Sequence, residues 1–251
     1  MHGLFSREGR ARLAALVAAK PLLGFDFDGT LAPLAEQPDR AAMRASTRRL
    51  LVALTRHLPV VVISGRARAD VARRCRGVRL AGVAGNHGIE PFGQSARVVR
   101  LVAAWHKALD RDLADVPDVF IEDKRYSLTV DYRHSPDLED AEAAIRRAAR
   151  RLPGARLLGG RHADFNIAPE GAPNKGTAMR RFMRAERRRA ALYVGDDRTD
   201  EDVFALDTPD LLTVRIGRRR GSRADYFLRN QTEMDKLLGV LRELAELKNA
   251  D

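Results

Sequence analysis

The chain has 251 residues, 45% of them hydrophobic and 31% charged, which suffices for one large domain or two smaller ones with packed cores. Its net charge of +11, carried mostly by arginine, fits attraction of an anionic partner such as nucleic acid or a phosphorylated small molecule. A lone cysteine, Cys75, excludes an internal disulfide framework and a cysteine-rich zinc site, and no stretch reaches the ~20 apolar residues of a membrane span.

In chain order, residues 13–19 are apolar between Arg12 and Lys20. A strand follows within a few residues, so the segment reads as an amphipathic helix rather than a cleaved leader, and the chain is expected in the cytoplasm. Residues 22–31 run Leu-Leu-Gly-Phe-Asp-Phe-Asp-Gly-Thr-Leu, a buried strand closing in a tight loop. Asp26 and Asp28 stand two apart at its mouth, where unpaired carboxylates are costly. Such a pair suits a magnesium site of oxygen ligands with a nucleophile beside an acid/base, or a turn in which Asp28 caps the backbone. Residues 40–57 carry helical periodicity. Val60-Val61-Val62-Ile63 then reads as a parallel strand buried on both faces, ending in Ser64-Gly65-Arg66. After a short helix, residues 80–84 form another such strand and end in Gly85-Asn86-His87-Gly88.

The middle of the chain changes character. A helix over 97–113 carries Trp105, a hairpin over 119–122 and 127–132 turns at Lys124-Arg125, and a helix spans 137–151. Two short strands near 155–159 and 164–168 complete an α-β-β-α-β-β block. Residues 94–169 are therefore expected as an inserted α+β domain, with 1–93 and 170–251 forming a doubly wound parallel-sheet core of Rossmann-like type. On the return, Lys175 stands at a helix entrance, a place that favours anions. Residues 190–194 lead into Gly195-Asp196-Asp197-Arg198-Thr199-Asp200, too many acids to sit together without a cation. Residues 211–216 read as one more strand.

Taken jointly, Asp26-Phe27-Asp28-Gly29-Thr30, Ser64, Lys175 and Gly195-Asp196-Asp197 resemble the motifs of the haloacid-dehalogenase-like phosphatases. Ser64-Gly65-Arg66, Gly85-Asn86-His87-Gly88, Glu122-Asp123-Lys124, Tyr132-Arg133, Asn174-Lys175-Gly176 and the string from Gly195 to Phe204 resemble, more narrowly, the trehalose-6-phosphate phosphatase family. The resemblance spans about residues 22–205. It implies a core with an inserted cap that sets specificity, and magnesium-dependent hydrolysis of trehalose 6-phosphate through an aspartyl-phosphate. Asp26 would be the nucleophile and Asp28 the acid and then the base. Mg²⁺ would be held by Asp26, the Asp28 carbonyl and Asp196, with Asp197 and Asp200 as a further ligand or support, while Ser64 and Lys175 steady the phosphoryl oxygens. Glu122, Lys124, Arg133 and Glu170 would contact the sugar. Arg66, Asn86 and His87 sit on core loops that could reach the same pocket. The chain departs from the family pattern at Asp131, where a histidine is expected. A phosphatase for another sugar phosphate, of the sucrose phosphate or mannosyl phosphoglycerate type, remains the nearest alternative. A silent nucleic-acid binder is the rival of another class, but the filled catalytic positions argue for a small-molecule substrate, with no nucleic acid or membrane as partner. A monomer is the default expectation.

Overall fold

A computed structural model describes residues 1–35, 37–159 and 163–250. The chain opens with β1 (His2–Gly3), α1 (Arg7–Ala18), β2 (Leu22–Phe25), α2 (Ala45–Leu54), β3 (Val60–Ile63), α3 (Arg68–Arg74) and β4 (Gly82–Ala84). It continues through α4 (Ala96–Asp112), β5 (Phe120–Asp123), β6 (Leu128–Asp131), α5 (Leu138–Arg150), β7 (Ala155–Gly159) and β8 (Asp164–Pro169). It closes with α6 (Lys175–Ala185), β9 (Ala191–Gly195), α7 (Glu201–Phe204), β10 (Leu211–Ile216), β11 (Tyr226–Leu228) and α8 (Glu233–Ala250). Two compact units result: Met1–Gly88 with Asn174–Asp251, and Ile89–Pro173.

The first unit holds a seven-stranded sheet in the order β1-β11-β10-β9-β2-β3-β4, and every pair in it is parallel. Alternation sorts its side chains. Leu23, Phe25, Val60, Val62, Leu192 and Val194 share one apolar core with Leu13 of α1, Leu51 and Leu54 of α2 and Leu237 and Leu241 of α8. Each such fully buried leucine contributes about 1.5–3 kcal/mol relative to exposure. The opposite face receives α6. A Cβ on Gly24 would stand 2.9 Å from both Met179 Sδ and the Tyr193 ring, so only glycine lets that helix approach the centre of the sheet. Because the strands are parallel, the loops after β9, β2, β3 and β4 leave the same edge from consecutive strands. That edge is where an α/β sheet builds sites.

The second unit is an antiparallel sheet in the order β5-β6-β8-β7. Leu128, Val130, Phe165 and Ile167 pack on Val102, Trp105 and Leu109 of α4 and Ile145 of α5. Asp137 caps α5 by accepting from the Glu139 and Asp140 N–H groups.

Some boundaries move. The helix expected over 40–57 begins at Ala45, after a 3-10 turn at Pro38–Arg40. The strand expected over 80–84 begins at Gly82, because residues 75–80 are spent in turns, the Val78 N–H on the Cys75 carbonyl and the Leu80 N–H on that of Val78. The ends of the chain carry β1, β11 and α8, none of which the sequence reading assigned. α8 buries Met234, Leu237, Leu238, Leu241 and Ala245, a helical stripe, whereas two- and three-residue strands are too short to show a period.

Candidate active site

The loop after β2 is wound tightly. The Gly29 N–H donates to the Ala32 carbonyl at 2.8 Å and the Ala32 N–H returns to the Phe27 carbonyl at 2.8 Å. Asp26 is buried at the base of this loop, and its Oδ1 lies 3.0 Å from Lys175 Nζ. Lys175 is the first residue of α6, whose N-cap Asn174 accepts from the Thr177 N–H. Its ammonium lies 2.7 Å from Asp200 Oδ1.

Asp200 organises the loop after β9. Its Oδ1 accepts from Lys175 and, at 2.7 Å, from the Tyr193 hydroxyl. Its Oδ2 accepts from the backbone N–H groups of Asp196 at 2.9 Å and Asp197 at 2.8 Å. A carboxylate offers about four lone-pair sites, so in this arrangement each oxygen is saturated. A Cβ on Gly195 would overlap this carboxylate, which explains glycine at the end of β9. Arg215, buried within β10, donates to the carbonyls of Asp196 at 2.6 Å and Asp197 at 3.0 Å and to Glu201 Oε1 at 3.0 Å. Thr30 Oγ1 donates to Asp196 Oδ1 at 3.4 Å, which ties the loop after β2 to the loop after β9.

One oxygen from each of Asp26, Asp196 and Asp200 falls within 4.8 Å of the others, all three residues buried. The Lys175 ammonium faces Asp26 and Asp200 among them. Burial pushes the Asp26 carboxyl well above the usual carboxylate range, against the pull of Lys175; Asp200, Asp196 and Asp28 add to the rise. Burial alone would lower the Lys175 ammonium, but Asp200 and Asp26 outweigh it and hold it above its ordinary value. Asp200 is held low, because Lys175 and the hydrogen bonds around it outweigh its burial. An excess of buried oxygen donors of one sign is the donor set of a hard divalent cation, so the residues present fit such an ion.

The other loops supply the surroundings. Ser64 is buried after β3, and its Oγ accepts from the Arg66 N–H at 3.2 Å. Arg66 grips Asp28 with both arms, Nε to Oδ2 and Nη2 to Oδ1, each at 2.7 Å, and stands 5.9 Å above the Phe27 ring. Its remaining nitrogen donates to Asp70 Oδ2 at 3.0 Å, and Asp70 also accepts from Arg74 at 2.7 Å and from Arg73. Asn86 and His87 follow β4 in the left-handed region, at φ 48° and 56°. The Asn86 N–H donates to the Arg66 carbonyl and the His87 N–H to that of Ser64, which stitches the β3 and β4 loops together. The Asp197 side chain is half-buried.

Within the second unit, Lys124 Nζ lies 3.5 Å from Glu122 Oε2. Arg133 turns onto Asp131, Nε to Oδ1 at 2.9 Å and Nη2 to Oδ2 at 2.8 Å, so the departure at Asp131 gives that arginine a fixed partner. Glu170 is exposed just past β8. The sequence reading gave no role to Tyr193 or Arg215, and quoted Thr30 only as part of the Asp26–Thr30 motif. The first two had a signal: a tyrosine and an arginine inside apolar strands each need a polar partner. Among the described residues no helix is long and apolar enough to cross a membrane.

A family model described as Trehalose-phosphatase matches residues 24–223. The chain is 34% identical over 219 residues to a trehalose-phosphate phosphatase of Mycobacterium marinum, covering 80% of this chain and 55% of the relative. It is 34% identical over 204 residues to a namesake in Mycobacterium avium, covering 75% and 52%. The chain thus spans about half the length of these curated relatives. Its fold is similar to that of the Candida albicans trehalose-6-phosphate phosphatase C-terminal domain, at TM-score 0.78 and 22% identity over 93% of this chain and 96% of that one. An Aspergillus fumigatus trehalose-6-phosphate phosphatase aligns at TM-score 0.69 and 22% identity, over 98% and 100%.

Proposed function

We infer that this chain, which belongs to the trehalose-phosphatase family, hydrolyses trehalose 6-phosphate to trehalose and inorganic phosphate. The observation that carries the reading is the convergence of Asp26, Lys175, Asp196 and Asp200 at one edge of the parallel sheet, from three separate stretches of chain. Asp26 is the nucleophile: its carboxylate bonds to phosphorus while the bond to the sugar oxygen breaks. Lys175 fixes that carboxylate by a direct 3.0 Å contact and, with Ser64, steadies the phosphoryl oxygens. Asp28 gives its proton to the departing sugar oxygen and then takes one from the water that frees the phosphate. Both of its oxygens accept from Arg66, so neither carries a proton in this arrangement; the clasp opens and Asp28 takes up a proton from solvent before it serves as the acid.

Asp26, Asp196 and the Asp28 carbonyl would hold a divalent cation, Mg²⁺ by the chemistry of an all-oxygen set, with Asp197 beside them. When bound, such an ion neutralises phosphate charge so that one anion can approach another. Asp200, saturated by its four donors, serves as the clamp that sets Lys175 and the Asp196 backbone. Glu122, Lys124, Arg133 and Glu170 of the inserted unit are candidates for the polar contacts that a neutral, hydroxyl-covered disaccharide requires, and Arg66, Asn86 and His87 are further candidates on loops of the core.

The test is phosphate release from trehalose 6-phosphate, sucrose 6-phosphate, glucose 6-phosphate and mannosyl phosphoglycerate, with Mg²⁺ and with a chelator. Metal-dependent turnover strongest on trehalose 6-phosphate is the expected result. Preference for another of the four would replace the substrate, and turnover indifferent to Asp26→Asn would remove the mechanism.

A further inference from the structure

Phe120 is 67% exposed, and it is the one exposed aromatic side chain among the described residues. Its strand neighbours Val119 and Ile121 point to the core of the second unit, so Phe120 stands on the opposite face of that sheet. The register defines the company it keeps. Phe120 pairs with Asp131, which pairs with Asp164, and Glu122 pairs with Thr129, which pairs with Asn166. Around β5 this face is polar, with Thr129 Oγ1 and Asn166 Oδ1 2.8 Å apart and Arg133 clasped to Asp131, and its apolar members, Leu158 opposite Asn166 and Ala168 of β8, lie on the far strands. One bare phenyl ring whose neighbours on β5 and β6 are carboxylates and a hydroxyl is a poor protein-docking surface, which would centre on contiguous apolar groups. It is the composition of a carbohydrate surface, in which an aromatic face meets the C–H face of a sugar and the polar groups around it meet the hydroxyls.

Spacing agrees. Phe120, Glu122 and Lys124 alternate along edge strand β5 and its exit, and the 3.5 Å contact between Lys124 and Glu122 puts the last two on one side. At about 3.3 Å per residue the stripe runs roughly 13 Å, the scale of two linked six-membered rings. Donor and acceptor groups at one end and an apolar platform at the other would distinguish a disaccharide from a single sugar.

We propose that Phe120 is a specificity-determining residue, the stacking platform for the pyranose ring of the disaccharide that lies farther from Lys124. The proposal rests on the reading of the site as a disaccharide-phosphate phosphatase. Its test is the specificity ratio, kcat/KM for trehalose 6-phosphate divided by kcat/KM for p-nitrophenyl phosphate, in the parent and in Phe120→Ala, Phe120→Leu and Phe120→Trp. The alanine and leucine variants should lower the ratio about ten-fold, through a higher KM for the sugar phosphate, the effect of a contact of about 1.4 kcal/mol. Phe120→Trp should restore it, since tryptophan offers a ring face and leucine offers only bulk. A ratio unmoved in all three variants, or restored equally by leucine, overturns the role of Phe120 in an enzyme that still turns over the sugar phosphate. Failure of the parent itself to hydrolyse trehalose 6-phosphate instead overturns the reading beneath it.

Discussion

Replacing Asp200 by asparagine tests the site's framework. The carboxylate receives four donors: Lys175 Nζ, the Tyr193 hydroxyl and the N–H groups of Asp196 and Asp197. An amide has one acceptor oxygen. Turned toward Lys175, it confronts two backbone N–H groups with its own N–H; turned toward the backbone, it confronts the ammonium. Either way buried donors lose their acceptor, at roughly 1–3 kcal/mol each. Removing one partner of a buried ion pair costs about 3–5 kcal/mol. One effect opposes this, because Asp200 also raises the Asp26 carboxyl and its loss relieves that repulsion. The relief is smaller, since Asp200 touches Lys175 at 2.7 Å and Lys175 keeps only Asp26 without it. The expected net loss is about 3–5 kcal/mol, or a fall in melting temperature of roughly 6–20 °C at 2–4 °C per kcal/mol. Urea unfolding and thermal melts of both proteins, in chelator, read this directly, and turnover should fall with Lys175 unmoored. A melting temperature within about 2 °C of the parent, less than 1 kcal/mol would produce, refutes the assignment of Asp200 as the clamp.

Arg66→Gln should slow trehalose 6-phosphate turnover about ten-fold or more, within the range ascribed to a positioned acid. In the first, phosphoryl-transfer step, read as the pre-steady-state burst, it should slow p-nitrophenyl phosphate much less, because that leaving group departs without a proton; equal losses in that step would mean that Arg66 does not place Asp28 as the acid. Asp70→Asn should change the acid limb of stability. Burial would raise the Asp70 carboxyl, but the hydrogen bonds and charges of Arg74 and Arg66 outweigh it and hold it below its ordinary value. A depressed carboxyl stabilises the fold above its unfolded value of about 3.9 and loses that contribution as pH falls through the folded value. Urea midpoints of parent and variant should therefore differ by a constant amount above about pH 5 and converge below about pH 4. A gap that widens in acid would contradict the pairing.

The parallel sheet was legible because its strands are short β-branched or apolar runs, each ending in a loop of chemical residues: Val60–Ile63 before Ser64, Ala191–Gly195 before Asp196. The acids and Lys175 were legible for the same reason, since charged groups at the ends of buried strands demand company. Their division of labour was not. Asp197 and Asp200 look alike in sequence, yet one is half-buried and the other is sealed by four donors, a difference set by the turn that brings the Asp196 and Asp197 N–H groups onto Asp200. Arg66 offered the same lesson. Its sequence context suggested a group reaching for substrate, and only the fold reveals that Asp70, one turn along α3, and Asp28 already hold it from two sides. β11 and β1 escaped because pairing across the chain, not local pattern, makes them strands.

The most direct test is to find the phosphoryl group. Enzyme quenched in acid during turnover of trehalose 6-phosphate with Mg²⁺, reduced with borohydride and digested, should carry homoserine in place of Asp26, the product of a reduced acyl phosphate. Homoserine at another aspartate, or none at any time point while phosphate is released, would contradict nucleophilic attack by Asp26.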